Sequence, residues 1–362
     1  MDNYTIVEKS VSNLEPFKNF LAQDIYTNNN ILIAKKGSLL SPNIIRVVKL
    51  QEIDTVCVRI SNEKRPNNKS IDLAKERLDL DSINKFEAIY LNHSNKIQTQ
   101  FNQLTESESI ESTNLNTKYM VEDIIKTLKN STDIFNYLTL MQTSDDVTFN
   151  HCVNVSIICQ IFGKLLGFSD LDAEMLSTAG LLHDIGKNKV PKNILDKESH
   201  LTPEELEIIK KHVIHSYNII KNYPLPESVK MGVLMHHERL DGSGYVHGII
   251  ENEIHPFAKI IAIVDIYDAM THNRPYRNRI LVLDAISYIK NNAIIKLDYV
   301  YANKFIDFVL RGLIGSVARL SNNEIGKILH TNKNDIYNPL IEVNNTIIDL
   351  KSQPNLKIVE IY

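Results

Sequence analysis

Cysteine is scarce in this chain of 362 residues: Cys57, Cys152 and Cys159 are too few and too scattered for a disulfide framework. That scarcity fits a reducing compartment, and Cys152 and Cys159 are expected to fill a core as small hydrophobes. No apolar run approaches the roughly 20 residues that a membrane-spanning helix needs. Met1-Asp2-Asn3-Tyr4 carries no secretory signal pattern, so a cytoplasmic protein is expected. An excess of positive charge is missing too. With 40 Lys and Arg against 44 Asp and Glu the net charge is −4, which leaves no global field for holding long nucleic acid. An anionic substrate would have to be met by local cations, and Lys187, Arg239, Arg274 and Arg277 are the ones nearest to the chemistry.

What the chain does contain is histidine and aspartate in a particular order. It reads His183-Asp184-Ile185-Gly186-Lys187, and later His236-His237-Glu238-Arg239-Leu240-Asp241-Gly242-Ser243-Gly244-Tyr245. His212 stands between these motifs, His151 before them and Asp265 after them. Imidazoles hold first-row transition metals, and a carboxylate can bridge two of them. A single His-Asp pair would say little; the combination supplies enough ligands for a dinuclear hydrolytic site.

At these residues the sequence resembles the HD-GYP family, bacterial phosphodiesterases that hydrolyse cyclic di-GMP. The resemblance runs from about Asp145 to about Arg277. It takes in Leu181-Leu182 ahead of His183, Val190-Pro191, Leu201-Thr202-Pro203-Glu204-Glu205, Asp265-x-x-Asp268-Ala269 and Arg274-Pro275-Tyr276-Arg277. Val246 stands where the family's name motif has proline, a change that affects loop stiffness and removes no chemical group.

The resemblance implies a mainly α fold built on a helical HD-type metallohydrolase domain. It implies that His151, His183, Asp184 and Asp265 hold one metal and His212, His236 and His237 a second, with Asp184 bridging. Lys187 would meet the substrate phosphate and help the leaving oxygen. Gly242, Gly244 and Tyr245 would form the substrate loop, and Arg274 and Arg277 would grip phosphate or guanine. Two divalent transition-metal ions per chain are expected. Iron or manganese is expected ahead of zinc, since the donor set has imidazole and carboxylate without thiolate. Some members of the family add a third metal through a glutamate one turn before the first histidine. Here Val147 stands in that place, and Asp146, about 100° further round an ideal helix, should point away, so two ions and accumulation of the linear product pGpG are expected.

Around this domain the sequence divides further. Residues 1–60 read as a small α+β unit, with a hairpin about Asn28-Asn29-Asn30, a helix opening at Ser41-Pro42 and a closing strand Val56–Ile60. Residues 61–118 read as a polar, partly helical linker, 119–312 as the HD-GYP domain and 313–362 as a β appendage. The helix carrying His151 should bury Val155, Ile158, Phe162 and Leu165 and stop at Gly167. Ser169 and Thr202 open the following helices with capping boxes, the second of which should run on to present His212. The apolar run Ile260–Met270 reads as helix, because Asp265 and Asp268 then share a face.

His93, His200, His215, His247, His255, His272 and His330 are expected to be ordinary surface or core residues. Glu238 and Asp241 are candidates for orienting ring N–H groups. Two rival functions compete with the cyclic di-GMP phosphodiesterase: an HD-type hydrolase of another cyclic dinucleotide or nucleotide, and a cyclic di-GMP receptor without turnover. The sequence is compatible with a homodimer and with a regulator bound by the N-terminal unit, and specifies neither.

Overall fold

The computed structural model describes residues 4–11, 14, 20–27, 32–34, 40, 42–51, 53–61, 80–106, 117–141, 147–197, 201–272 and 280–361. Two compact units emerge, one of Met1–Lys69 with Thr143–Asp145 and one of Ser70–Gln142 with Asp146–Tyr362.

The smaller unit contains β1 (Tyr4–Ser10), β2 (Phe20–Leu21), β3 (Ile25–Tyr26), β4 (Leu32–Ala34), α1 (Pro42–Leu50) and β5 (Thr55–Ser61). β5 is the centre of an antiparallel sheet ordered β1-β5-β2, and β3 pairs antiparallel with β4 as the hairpin reading requires. Asn28–Asn30 and Ser41 lie outside the described residues. Leu21, Leu40, Val48 and Val58 close a small core of its own.

The larger unit is helical, with a sheet at its C-terminal end. Its helices are α2 (Leu80–Glu106), α3 (Thr117–Ile125), α4 (Ile134–Leu140), α5 (Val147–Leu165), α6 (Asp170–Leu182), α7 (Lys192–Leu195), α8 (Pro203–Lys210), α9 (His212–Ile220), α10 (Glu227–Met235), α11 (Pro256–Thr271), α12 (Val282–Asn292) and α13 (Tyr299–Leu313). α11 is buried on nearly every side, including Phe257, Ile260, Ile261, Ile263 and Val264. That is the signature of a helix at the centre of a bundle, and it explains why an apolar run that mimics a strand is helical here.

α5 buries Val155, Ile158 and Phe162, but Leu165 is 52% exposed. Leu165 is the last residue of the helix, and the residue that follows it, Leu166, takes the inward place, packed against the core. The helix ends in a Schellman motif: Gly167 has φ +87, its N–H donates to Lys164 O at 3.0 Å, and the Phe168 N–H donates to Gly163 O at 3.0 Å. Asp145 and Asp146, which precede α5 in sequence, lie outside the described residues.

Ser169 opens α6 by accepting from the Asp172 N–H at 3.1 Å, but its hydroxyl, and not its backbone N–H, is what meets the Asp172 carboxylate. Thr202 forms the full reciprocal box with Glu205, which also binds Lys197. The helix it starts does not reach His212. α8 stops at Lys210, Lys211 turns the chain, and His212 begins α9.

Five strands complete the unit: β6 (Val317–Leu320), β7 (Ile325–Asn332), β8 (Asp335–Val343), β9 (Thr346–Asp349) and β10 (Ile358–Ile361). They form an antiparallel sheet ordered β10-β6-β7-β8-β9. Asn344 and Asn345, at φ 49 and 64, make the tight turn between β8 and β9. Ala318, Leu320, Ile328 and Ile341 belong to the same hydrophobic core as the helices, so the sheet is packed as part of this unit.

Candidate metal centre

Five helices and one kink bring the ligand candidates together. His151 projects from α5, His183 caps α6, His212 begins α9, His236 caps α10 with His237 next, and Asp265 lies on α11. Asp184 sits where α6 breaks, with φ −106 and ψ 6, ahead of the 3-10 turn Ile185–Lys189. That break needs Gly186. A Cβ there would lie 2.2 Å from His212 O and 2.3 Å from Ser216 N, so only glycine lets the turn press against α9.

The seven side chains offer ligand atoms in two groups, each lying within 4.8 Å: Asp184, His212, His236 and His237; and His151, His183 and Asp265. Asp184 faces both. Its Oδ2 is 3.3 Å from His183 Nε2 and 3.7 Å from His151 Nε2, while Oδ1 is 3.1 Å from His212 Nε2.

The rings are held from behind. Nδ1 of His183, His212 and His236 lies 2.7, 2.6 and 2.7 Å from the carbonyls of Gly180, Ile209 and Val233, three residues earlier in each case. A ring N–H spent on a carbonyl leaves the Nε2 lone pair aimed inward. His151 makes the same arrangement with a side chain, its Nδ1 lying 2.7 Å from Asp268 Oδ2. Nε2 of His151, His183, His212 and His236 and Oδ1 of Asp184 are buried without a hydrogen-bond partner among the described residues. Buried polar atoms ordinarily find partners. A convergent set of bare nitrogens and carboxylate oxygens is what a first-row divalent metal requires, so the residues fit a metal centre.

The electrostatics agree. Burial, followed by the neighbouring imidazoles, holds His236 well below its ordinary value, and burial brings His237 down to about 3. Both are neutral and able to ligate. Burial would raise Asp184, but Lys187 and the histidines outweigh it and keep the carboxylate ionised well below its usual range. At His151 burial opposes the charge, yet the carboxylates of Asp265 and Asp268 lift the ring to about 9. Lys187 reaches Asp184 Oδ2 directly.

Beside the ligands lies the glycine loop. Gly242 has φ +74, and a Cβ on Gly244 would meet Arg239 N at 2.4 Å. Tyr245 stacks on His237 with ring centroids 4.6 Å apart, and the Lys210 ammonium lies 5.6 Å from the Tyr245 ring centroid. Glu238 and Asp241 do not orient imidazoles. Glu238 accepts from the backbone N–H groups of His247 at 2.7 Å and Ile249 at 3.2 Å, and Asp241 accepts from Ser243. Both shape the loop. Arg239 Nη1 donates to the carbonyls of His236 and Glu238. Arg274 and Arg277 lie outside the described residues. Asp268 is the residue that sequence reasoning passed over, although its i+3 relation to Asp265 was visible.

The family model described as HD domain matches residues 101–299, more than half of the chain. A cyclic di-GMP phosphodiesterase of Pseudomonas aeruginosa is 30% identical over 208 residues, 57% of this chain and 50% of that protein. A 3'3'-cGAMP-specific phosphodiesterase of Vibrio cholerae is 33% identical over 154 residues, 42% of this chain and 33% of that protein. The chain thus spans about half the length, or less, of these curated relatives. Among solved structures, an "HDG"Y"P" protein from Bdellovibrio bacteriovorus aligns with TM-score 0.53 at 18% identity, covering 84% of this chain and 99% of that one. That likeness establishes the fold.

Proposed function

The chain belongs to the HD domain family, and from that premise we propose that it is a metal-dependent phosphodiesterase of the HD-GYP type, hydrolysing cyclic di-GMP to pGpG. One observation carries the reading: the two oxygens of Asp184 face two separate histidine groups, as a bridging carboxylate must. We assign His151, His183, Asp184 and Asp265 to one ion and His212, His236 and His237 to a second, with iron or manganese preferred over zinc. When bound, such a pair supplies an acidified water and neutralises charge at the phosphate.

The chain's own groups do the rest. Asp184 and Asp265 stay ionised in a buried cavity, as carboxylates that would hold divalent ions must. Lys187 Nζ, beside Asp184 Oδ2, is placed to donate a proton to the 3′ oxygen as its bond to phosphorus breaks and the water oxygen's bond forms. Burial raises the Tyr245 phenol, which stays protonated and can donate to a phosphate oxygen. Gly242 and Gly244 let the loop backbone come close to the ligand, and Arg274 and Arg277 are assigned to phosphate or guanine.

We assign the reaction to 119–312, preceded in sequence by 1–60 and by 61–118, whose helix α2 packs in the larger unit, and followed by the sheet 313–362. We further place the protein in the cytoplasm, with regulation entering at the N-terminal unit. Among the described residues no helix is long and apolar enough to cross a membrane. A hybrid 3′,3′-linked dinucleotide is the second reading, favoured by the similarity to the Vibrio cholerae enzyme. Anaerobic metal reconstitution followed by chromatography of products from each dinucleotide tests both. The reading expects pGpG from cyclic di-GMP; turnover of the hybrid alone would replace it with the second, and turnover of neither would reject both.

A further inference from the structure

His151 differs from the other cavity histidines whose ring N–H is held from behind. Its Nδ1 is met by a side chain, Asp268, which is itself the end of a chain of buried polar groups. His272 Nδ1 lies 3.0 Å from the second Asp268 oxygen and 3.1 Å from the Asp268 carbonyl. His272 Nε2 lies 3.2 Å from Asn154 Nδ2. Asn154 Oδ1 accepts from the Tyr90 hydroxyl at 2.9 Å. Tyr90, Asn154 and Asp268 are each at most 3% exposed.

The donor directions are mutually consistent. Tyr90 O–H donates to the amide oxygen, which turns the amide N–H₂ toward His272. A ring accepting at Nε2 carries its proton on Nδ1 and donates it to the Asp268 backbone carbonyl, with the carboxylate oxygen Oδ1 alongside at 3.0 Å. The carboxylate, with Oδ1 beside the His272 ring at 3.0 Å, takes the His151 Nδ1–H on Oδ2, and this leaves His151 Nε2 to face the cavity as a ligand. Every link therefore favours the one tautomer that can ligate.

We propose that Tyr90, Asn154 and His272 are positioning residues for the metal centre, acting through Asp268 to fix the ring and tautomer of His151. The series begins on α2, a helix that carries no ligand, so the strength of metal binding depends on where α2 holds the Tyr90 hydroxyl. This inference rests on the metal-centre reading and adds a route by which a change outside the ligand set reaches it.

The test uses the full chain, stripped of metal and titrated with Co²⁺, with visible absorption, release to a chelator and melting of the metal-free protein as readouts. His272→Leu removes both contacts, whereas His272→Asn keeps a donor where Nδ1 stands. His272→Leu should release Co²⁺ about tenfold faster, as loss of such outer partners does. His272→Asn should restore most of the parent rate, and Tyr90→Phe, which deletes one hydroxyl and is the mildest change, should speed release a few-fold. Variants that melt lower yet keep the parent's Co²⁺ spectrum and release rate would overturn the relay and leave the metal centre standing. A parent chain that takes up no Co²⁺ would overturn both.

Discussion

Asp184 Oδ1 lies 3.1 Å from His212 Nε2, across a contact between the turn Ile185–Lys189 and α9 that only Gly186 allows to close. The other Asp184 oxygen faces His151 and His183. Removing this carboxylate takes a ligand from both groups at once. Asp184→Ala should therefore bring hydrolysis below detection and lower total metal content, while His237→Ala should empty one position more than the other. Metal analysis of each purified variant, with turnover of cyclic di-GMP, checks both. A folded Asp184→Ala chain working at the parent rate would end the bridging account.

Gly186→Ala should be damaging out of proportion to its size. The added Cβ would strike backbone atoms of α9, and overpacking of this kind costs on the order of 1–3 kcal/mol or more. Lower thermal stability and weaker metal uptake should appear together, since the same contact places His212. Normal melting with normal metal content would show that the turn relaxes freely.

Much of the site was legible in the sequence because ligands must be particular residue types in a particular order. What was not legible is what holds them. Three of the ring N–H groups are held by backbone carbonyls of Gly180, Ile209 and Val233, and a carbonyl leaves no mark on residue identity. Glu238 and Asp241 have the right chemistry to orient imidazoles, yet the loop's fold turns them to backbone N–H groups. In the fold, periodicity found α5 and α11. It missed the turn at Lys211, because an αR residue ends one helix and begins the next without a proline or glycine to announce it.

The Glu238 clamp predicts a division of effects. Glu238→Ala frees the N–H groups of His247 and Ile249 and loosens the loop that carries Tyr245, without touching a ligand. KM should rise several-fold while metal content stays at the parent value. Loss of metal in that variant would instead make Glu238 part of the centre's support.

Acid should weaken the start of α8. Glu205 is held below its ordinary value, first by Lys197 and then by the Thr202 N–H. A depressed carboxylate contributes stability that is complete above its unfolded value and is lost as pH falls through the folded one. Glu205→Gln should therefore destabilise the chain at neutral pH, and the difference from the parent should shrink as the pH is lowered. A difference that is constant across that range would mean that the charge is not what stabilises the cap.

The count and necessity of the metals decide the rest. Val147 has no donor atom at the position where a third ion would need one, so two ions per chain and accumulation of pGpG are expected. The most direct measurement is to strip the protein with chelator, restore iron or manganese under anaerobic conditions, and follow cyclic di-GMP and its products by chromatography against measured metal per chain. The account predicts no turnover in chelator, recovery as occupancy approaches two, and pGpG as the main product. Undiminished hydrolysis in the metal-stripped protein would contradict it.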